Sequence, residues 1–372
     1  MTYQRYARAE IDVSAVAHNV RALKGLTRRG TLFCGVVKAD GYGHGAVEMA
    51  RAVQNAGAER LAVATVEEGV ELRKAGIAGT LQLLSEPPAS AVDLILEHRL
   101  IPTVCTRQFA VALGRRAAGI QREVRYHLKI DTGMNRIGVP AEHAAKFAAG
   151  LKDFPGIELE GTFTHFATAD VPGDWDFESQ TTRFNDALAE MRTEGVDPGI
   201  VHAANSPATI LHPEVHYDMV RPGLSLYGFH PSPETAGRVD LRAARSVKAQ
   251  VSYVKRIGMG EGVSYGLTWR AAAPTTVATL PLGYADGIHR AASNSMEVLI
   301  GGKRCHQIGR ICMDQFVVEV PRGVEVSLGD EAVIVGTQGD ETITTEEFAE
   351  HAGTINYEIS CGFGMRLPRI YT

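Results

Sequence analysis

Over about the first 225 residues, short apolar runs alternate with longer amphipathic stretches. Leu32–Val37, Leu61–Thr65, Thr80–Leu84, Ile101–Cys105, Val124–Ile130, Leu159–His165, Ile200–Ala204 and Met219–Arg221 read as strands. Between them lie segments rich in Ala, Leu, Glu and Arg, such as Ala46–Ala56, Val66–Ala75 and Thr182–Glu194, which read as helices. Strands alternating with helices in this way predict a (β/α)8 TIM-type barrel rather than an open sheet. From about Arg238 the pattern changes. Val247–Ile257, Thr275–Pro281, Glu297–Ile300, Gln315–Val320 and Glu331–Val335 are strand-like, with Gly-rich turns between them. Thr345–Ala352 is the one clear helical pattern there, with Thr345 as its N-cap. The expected organisation is α/β plus β: a barrel over residues 1–238 and a mainly β C-terminal domain over 239–372. Tyr3–Asp12 also reads as a strand, and residues 1–12 can pair with the β domain.

Composition narrows the function. A chain of 372 residues with 45% hydrophobic content is long enough for two domains and a full core. A net charge of −5, without a long basic run, argues against nucleic acid or an anionic membrane as partner. No apolar run approaches a membrane span and no secretory signal is visible, so a cytoplasmic location is expected. Five unpatterned cysteines suggest a reducing compartment, and thirteen histidines without metal-ligand spacing predict no metal.

In a barrel of this class the chemistry sits at the C-terminal ends of the strands. Those ends carry Lys38 on strand one, Lys129 and Asp131 on strand five and His165 on strand six. Asn205 and Ser206 follow on strand seven, and Arg221 on strand eight. Lys38 opens Lys38-Ala39-Asp40-Gly41-Tyr42-Gly43-His44-Gly45, a loop whose glycines let backbone approach a ligand closely. An amine there can form a Schiff base with a carbonyl group. On strand five, Arg125, His127, Lys129 and Asp131 alternate with apolar residues, which sends the polar set into the barrel. A lysine in that interior is either ion-paired with Asp131 or part of the chemistry. Asn205-Ser206-Pro207 reads as a helix start with Ser206 as N-cap, and Arg221-Pro222-Gly223-Leu224 as a turn. Together they suit a phosphate, which barrel enzymes hold with the loops after strands seven and eight. Pyridoxal 5'-phosphate joins an aldehyde to a phosphate and fits; a sugar phosphate in an aldolase fits as well.

Several motifs in order then add a family resemblance. They are Val37–Gly45, His127-Leu128-Lys129-Ile130-Asp131-Thr132-Gly133-Met134-Asn135-Arg136, Thr164–Asp170, Ala204-Asn205-Ser206, Arg221-Pro222-Gly223, Gly262–Gly266, Leu282–Gly287, Gly309–Gln315 and Asn356-Tyr357-Glu358. With them the chain resembles, essentially end to end, the biosynthetic alanine racemases, fold-type III pyridoxal-phosphate enzymes. The resemblance implies a homodimer that interconverts L- and D-alanine by two bases and supplies D-alanine for peptidoglycan. Lys38 would carry the cofactor and serve one face of the substrate Cα. Tyr265, donated across the dimer interface, would serve the other, activated through His165 and Arg221. Arg221 would face the pyridine nitrogen and leave it unprotonated, which restrains side reactions.

The resemblance further implies that Tyr42, Asn205, Ser206, Gly223, Leu224 and Tyr357 bind the cofactor, most of them at its phosphate. Arg136 and the region of Met313 and Asp314, with Met313 from the partner subunit, would receive the substrate, and Tyr284 would line its approach. Lys129, carbamylated in several relatives, would pair with Arg136. Alternatives are a racemase of serine or another small amino acid, and a decarboxylase of the same barrel class. The decarboxylases place an acidic residue where Arg221 stands.

Overall fold

The computed structural model describes residues 6–171 and 173–372. The chain forms two compact units. One comprises Ala15–Gly41 and Ala46–Arg242; the other comprises the described residues up to Ser14, Tyr42–Gly45 and Ala243–Thr372.

The first unit is the barrel. Its strands are β1 Leu32–Val36, β2 Arg60–Val63, β3 Thr80–Leu83, β4 Thr103–Val104, β5 Val124–Asp131, β6 Ile157–Phe163, β7 Ile200–His202 and β8 Met219–Val220. They pair in parallel as two arcs, β8-β1-β2-β3 and β4-β5-β6-β7. A parallel bridge from Gln82 to Ile101 joins the arcs on one side. On the other, Arg221 N donates to Ala204 O at 2.8 Å and Asp218 N to Val201 O at 3.0 Å. The strands are buried on both faces, as the near-continuous apolar runs of a parallel sheet require. Helices Ala46–Asn55 and Val66–Lys74 follow strands as the periodicity predicts; the one expected over Thr182–Glu194 begins seven residues earlier and spans Trp175–Thr193. Val66–Lys74 is entered through a capping box, with Thr65 Oγ1 accepting from Glu68 N and Glu68 reaching back to Thr65 N.

The second unit is built on a ten-stranded sheet. Its order is Tyr253–Ile257, Thr275–Leu280, Phe316–Val320, Lys303–Ile308, Glu297–Ile300, Glu331–Gln338, Arg245–Gln250, Ala7–Ile11 and Arg369–Tyr371, with Glu341–Ile343 added beside Glu331–Gln338. Ala7–Ile11 realises the N-terminal strand, antiparallel to Arg245–Gln250 and parallel to Arg369–Tyr371. Residues 3–5 of that expectation lie outside the described residues. The single strand expected over Val247–Ile257 is two strands. The chain changes partners at Val251 and Ser252, whose N–H groups bond Asp330 O and Thr279 O. The helix Thr345–Ala352 is capped by Thr344, not Thr345: Thr344 Oγ1 accepts from Glu347 N at 3.0 Å. Ile257, Val263, Ala271, Val277 and Ile308 form one apolar cluster of this unit, with Trp269 packed on it. Among the described residues, no helix is long and apolar enough to cross a membrane.

Candidate active site

Lys38 stands just past β1. The residues after it turn left-handed: Ala39 (φ 51°, ψ 52°), Asp40 (53°, 46°) and Gly41 (61°, 43°), continued by positive φ at Tyr42 and Gly43. Such a run costs about 1–2 kcal/mol for each non-glycine residue, so its surroundings must hold it. On the barrel side, Ala39 N donates to Glu68 Oε1 at 2.7 Å and Ala46 N to Asp40 Oδ1 at 2.8 Å. Glu68 therefore serves two loops with one side chain. Its capping-box spacing, Thr65-Val66-Glu67-Glu68, was the sequence signal that could have singled it out.

The other strand exits hold a dense polar group. Arg221, 4% exposed, spreads its guanidinium over His202 Nδ1 (2.8 Å), Thr164 O (2.9 Å), Ala203 O (3.2 Å) and His165 Nδ1 (3.3 Å). All four are neutral acceptors. Burial draws the guanidinium down to about 10, which leaves it charged at neutral pH. Burial, then Arg221, Lys129, Arg136 and Lys38, keep His165 neutral, well below the usual histidine range. With Nδ1 facing an arginine donor, the neutral His165 ring carries its hydrogen on Nε2.

Lys129 is buried on β5, its ammonium 5.5 Å from the centre of the Phe163 ring. Burial, then Arg136 and Arg221, lower its amine to about 8. Asp131 does not pair with it. Its Oδ1 accepts from Gly133 N and Asn135 N, both at 3.0 Å, and so shapes the loop that presents the exposed Arg136. Ser206 is not the helix cap either. Asn205 takes that role for Ser206–Leu211, its side chain accepting from Ala208 N at 3.2 Å. Ser206 Oγ instead accepts from Gly223 N (2.9 Å) and Ser225 N (3.4 Å), which leaves its hydroxyl hydrogen to donate. Leu224 is buried at the start of the turn Leu224–Tyr227.

The remaining candidates belong to the β unit. Tyr42 is buried and its ring lies 6.4 Å from that of Tyr357. The carbonyls of Tyr42, Gly43 and His44 are all engaged: Ser360 Oγ donates to Tyr42 O (2.8 Å), Arg245 (3.2 Å) and Arg369 (3.0 Å) to Gly43 O, and Tyr371 Oη to His44 O (3.1 Å). Gly43 admits no side chain, since a Cβ would sit 2.3 Å from Ser360 O. Tyr265 is 74% exposed, in contrast with the half-buried aromatic its setting in a β domain suggests. Its loop is pinned by Ser264 Oγ, which donates to Arg310 O at 2.6 Å. Tyr284 and Met313 are also exposed, but their backbones interlock: Tyr284 N bonds Cys312 O (3.0 Å) and Ala285 N bonds Met313 O (3.1 Å). Asp314 accepts from Arg366 Nη2 at 2.8 Å. Among the described residues, no cluster of His, Cys, Asp and Glu is arranged to hold a metal.

Comparison with known proteins identifies the family. The family model for the alanine racemase N-terminal domain matches residues 11–231, and that for the C-terminal domain residues 244–371. The chain is 45% identical over 363 residues to the alanine racemase of Symbiobacterium thermophilum, covering 98% of this chain and 96% of that one. It is also 45% identical to that of Carboxydothermus hydrogenoformans over 365 residues, 98% of each. The crystal structure of alanine racemase from E. faecalis superposes with a TM-score of 0.95 at 37% identity, over all of both chains. That from Bacillus anthracis, with bound L-Ala-P, superposes with a TM-score of 0.94 at 36% identity, over 100% of this chain and 96% of that one. The chain belongs to the alanine racemase family.

Proposed function

We propose that this chain interconverts L- and D-alanine with pyridoxal 5'-phosphate as cofactor and Lys38 and Tyr265 as its two bases. The donor set of the barrel fits that cofactor. Lys38 offers an amine for the aldehyde, Ser206 a hydroxyl hydrogen for the phosphate, and Arg221 a permanent cation for the ring nitrogen. Asn205 shapes that loop, Gly223 and Leu224 lie beside Ser206, and Tyr42 and Tyr357 are assigned to the same cofactor. When bound, the cofactor supplies an aromatic system that acidifies the substrate Cα–H.

The chain's own residues do the rest. Lys38 moves the proton on one face of Cα, and Tyr265 on the other. A phenol with an ordinary pKa near ~10 needs help to act as a base at neutral pH. The neutral His165, with its Nε2–H free of Arg221, can stabilise the phenolate. Arg136, Met313 and Asp314 receive the substrate, and Tyr284 lines its approach. Lys129, whose amine is lowered to about 8 and so has a larger neutral fraction than an ordinary lysine, is the place for a carbamate that pairs with Arg136. Tyr265 and Met313 reach the partner's site in a homodimer.

One observation carries the reading: among the described residues, the buried Arg221 guanidinium donates only to neutral acceptors. A guanidinium that stays charged at neutral pH would donate to the ring nitrogen and leave it unprotonated, which suits racemisation over decarboxylation. Serine is the rival substrate, because an added hydroxyl alters binding in a small pocket only modestly. Incubating the cofactor-loaded protein with L-Ala and with L-Ser, then separating enantiomers by chiral chromatography, decides it. D-Ala should form faster than D-Ser; the reverse order, or no D-amino acid, would overturn the assignment.

A further inference from the structure

A line of polar side chains runs through the barrel interior away from Arg221. Arg221 Nη1 lies 2.8 Å from His202 Nδ1, and His202 Nε2 lies 2.7 Å from His127 Nδ1. His127 Nε2 in turn lies 3.2 Å from Glu160 Oε2. Glu160 Oε1 accepts from Arg60 Nη2 at 3.0 Å and Arg125 Nη1 at 2.8 Å. Both histidines are wholly buried. Phe163 stacks on His202 with ring centres 4.8 Å apart and planes 4° off parallel, and Arg221 Cζ lies 5.2 Å from the Phe163 ring centre.

The ends of this line have fixed chemistry. A guanidinium only donates and a carboxylate only accepts. One proton arrangement satisfies every contact: Arg221 N–H to His202 Nδ1, His202 Nε2–H to His127 Nδ1, and His127 Nε2–H to Glu160. An added proton on either ring would set a donor against a donor. The electrostatics agree. Burial, and after it the cations Arg60 and Arg221, keep both rings neutral, against the opposing pull of Glu160 on His127. Burial raises the Glu160 carboxyl, but His127 and Arg60 outweigh it and hold it at about 2, ionised throughout the neutral range.

We infer that Glu160, His127 and His202 are positioning residues for Arg221, a one-way hydrogen-bond relay whose carboxylate end sets which nitrogen His202 offers to the guanidinium. The inference rests on the proposed function only for what Arg221 does. Glu160→Gln exposes the logic. If the amide oxygen stays on Arg60 and Arg125, the NH2 group faces His127 Nε2. Both rings must then reverse, and His202 Nδ1–H meets Arg221. If the amide turns over, its NH2 group faces two guanidiniums.

The test uses the full-length protein loaded with pyridoxal phosphate and labelled with 15N-histidine. In the unsubstituted enzyme at neutral pH, His127 and His202 should both be neutral Nε2–H tautomers, a result that needs no variant. In Glu160→Gln, the His202 signal should change tautomer, the visible band of the bound cofactor should shift, and kcat for alanine should fall about 10–100-fold, the range usual for partners that orient a functional group. KM should stay within about twofold, since a positioning defect acts on the chemical step. Either ring as an Nδ1–H or doubly protonated form in the unsubstituted enzyme overturns the relay. So does a variant whose tautomers, or whose cofactor band and kcat, are unchanged. Failure of the proposed function looks different: no visible cofactor band on Lys38, with the tautomers still readable.

Discussion

The two units hold their candidate residues in opposite ways. In the barrel, side chains fix side chains: Arg221, His165, His202 and Ser206 each have bonding partners within 3.4 Å, and most are buried. In the β unit, backbone fixes backbone and several side chains are left outside. Tyr265, Tyr284 and Met313 are exposed on loops whose main chain is locked by Ser264, Gly283 and the Cys312–Met313 carbonyls. The first arrangement fixes electrostatics, because each charge meets chosen dipoles. The second presents groups outward at a set angle, which suits a residue meant for a partner chain.

Removing one group from each region gives the largest tests of that contrast. Lys38→Ala should eliminate the visible band of the lysine-bound cofactor and reduce racemisation by more than about 10⁴-fold. Tyr265→Phe should keep the band and the melting temperature, because it removes only a hydroxyl and leaves the ring, while losing about 10²–10⁴-fold in rate, unequally for the two enantiomers. Full activity in that variant would refute the two-base reading. Sedimentation at assay concentration should show a dimer; a fully active monomer would rule out donation of Tyr265 across an interface.

Acid should then separate the regions by stability. His127 and His202 sit below their ordinary value near 6.5 in the folded barrel but regain it when unfolded. Below pH 6.5 the unfolded chain binds more protons, so their contribution is complete above that value and is lost as pH falls toward the folded values. Stability should therefore fall as pH drops from 7 toward 5.5, read as a lower urea midpoint. The β unit is better probed by sterics. Gly283→Ala places a Cβ 2.3 Å from both Cys312 O and Met313 O. It should destabilise by about 1–3 kcal/mol and disturb Tyr284 and Met313 together. Smallest of all, Thr344→Ala removes a helix cap and should cost about 1 kcal/mol in thermal unfolding while leaving activity unchanged.

The barrel was legible because its strands are short apolar runs and its polar exits interrupt them at regular intervals. Strand five shows this best, where alternation alone sent His127 and Lys129 inward. What alternation does not carry is register between strands. Nothing in the sequence around Glu160 or His202 says that they meet His127, because that depends on how β6 and β7 slide past β5. The same lack placed the helix cap on Ser206 rather than Asn205, one residue off. In the β unit, Lys303–Ile308 escaped notice because Lys303, Arg304, His306 and Gln307 break its apolar pattern, although Cys305 and Ile308 are fully buried. The helix Asn356–Gly362 lacks a side-chain cap to announce it.

The left-handed turn after Lys38 has a bearing on the order in which the protein matures. Its far end is held by Ser360, Arg369 and Tyr371, which lie 318, 326 and 327 residues downstream of their partners. At about 5–20 residues per second, a ribosome takes roughly 15–65 s to supply them. The lysine loop is thus among the first segments made and among the last to take its final shape, so cofactor capture should trail synthesis of the loop by at least that interval.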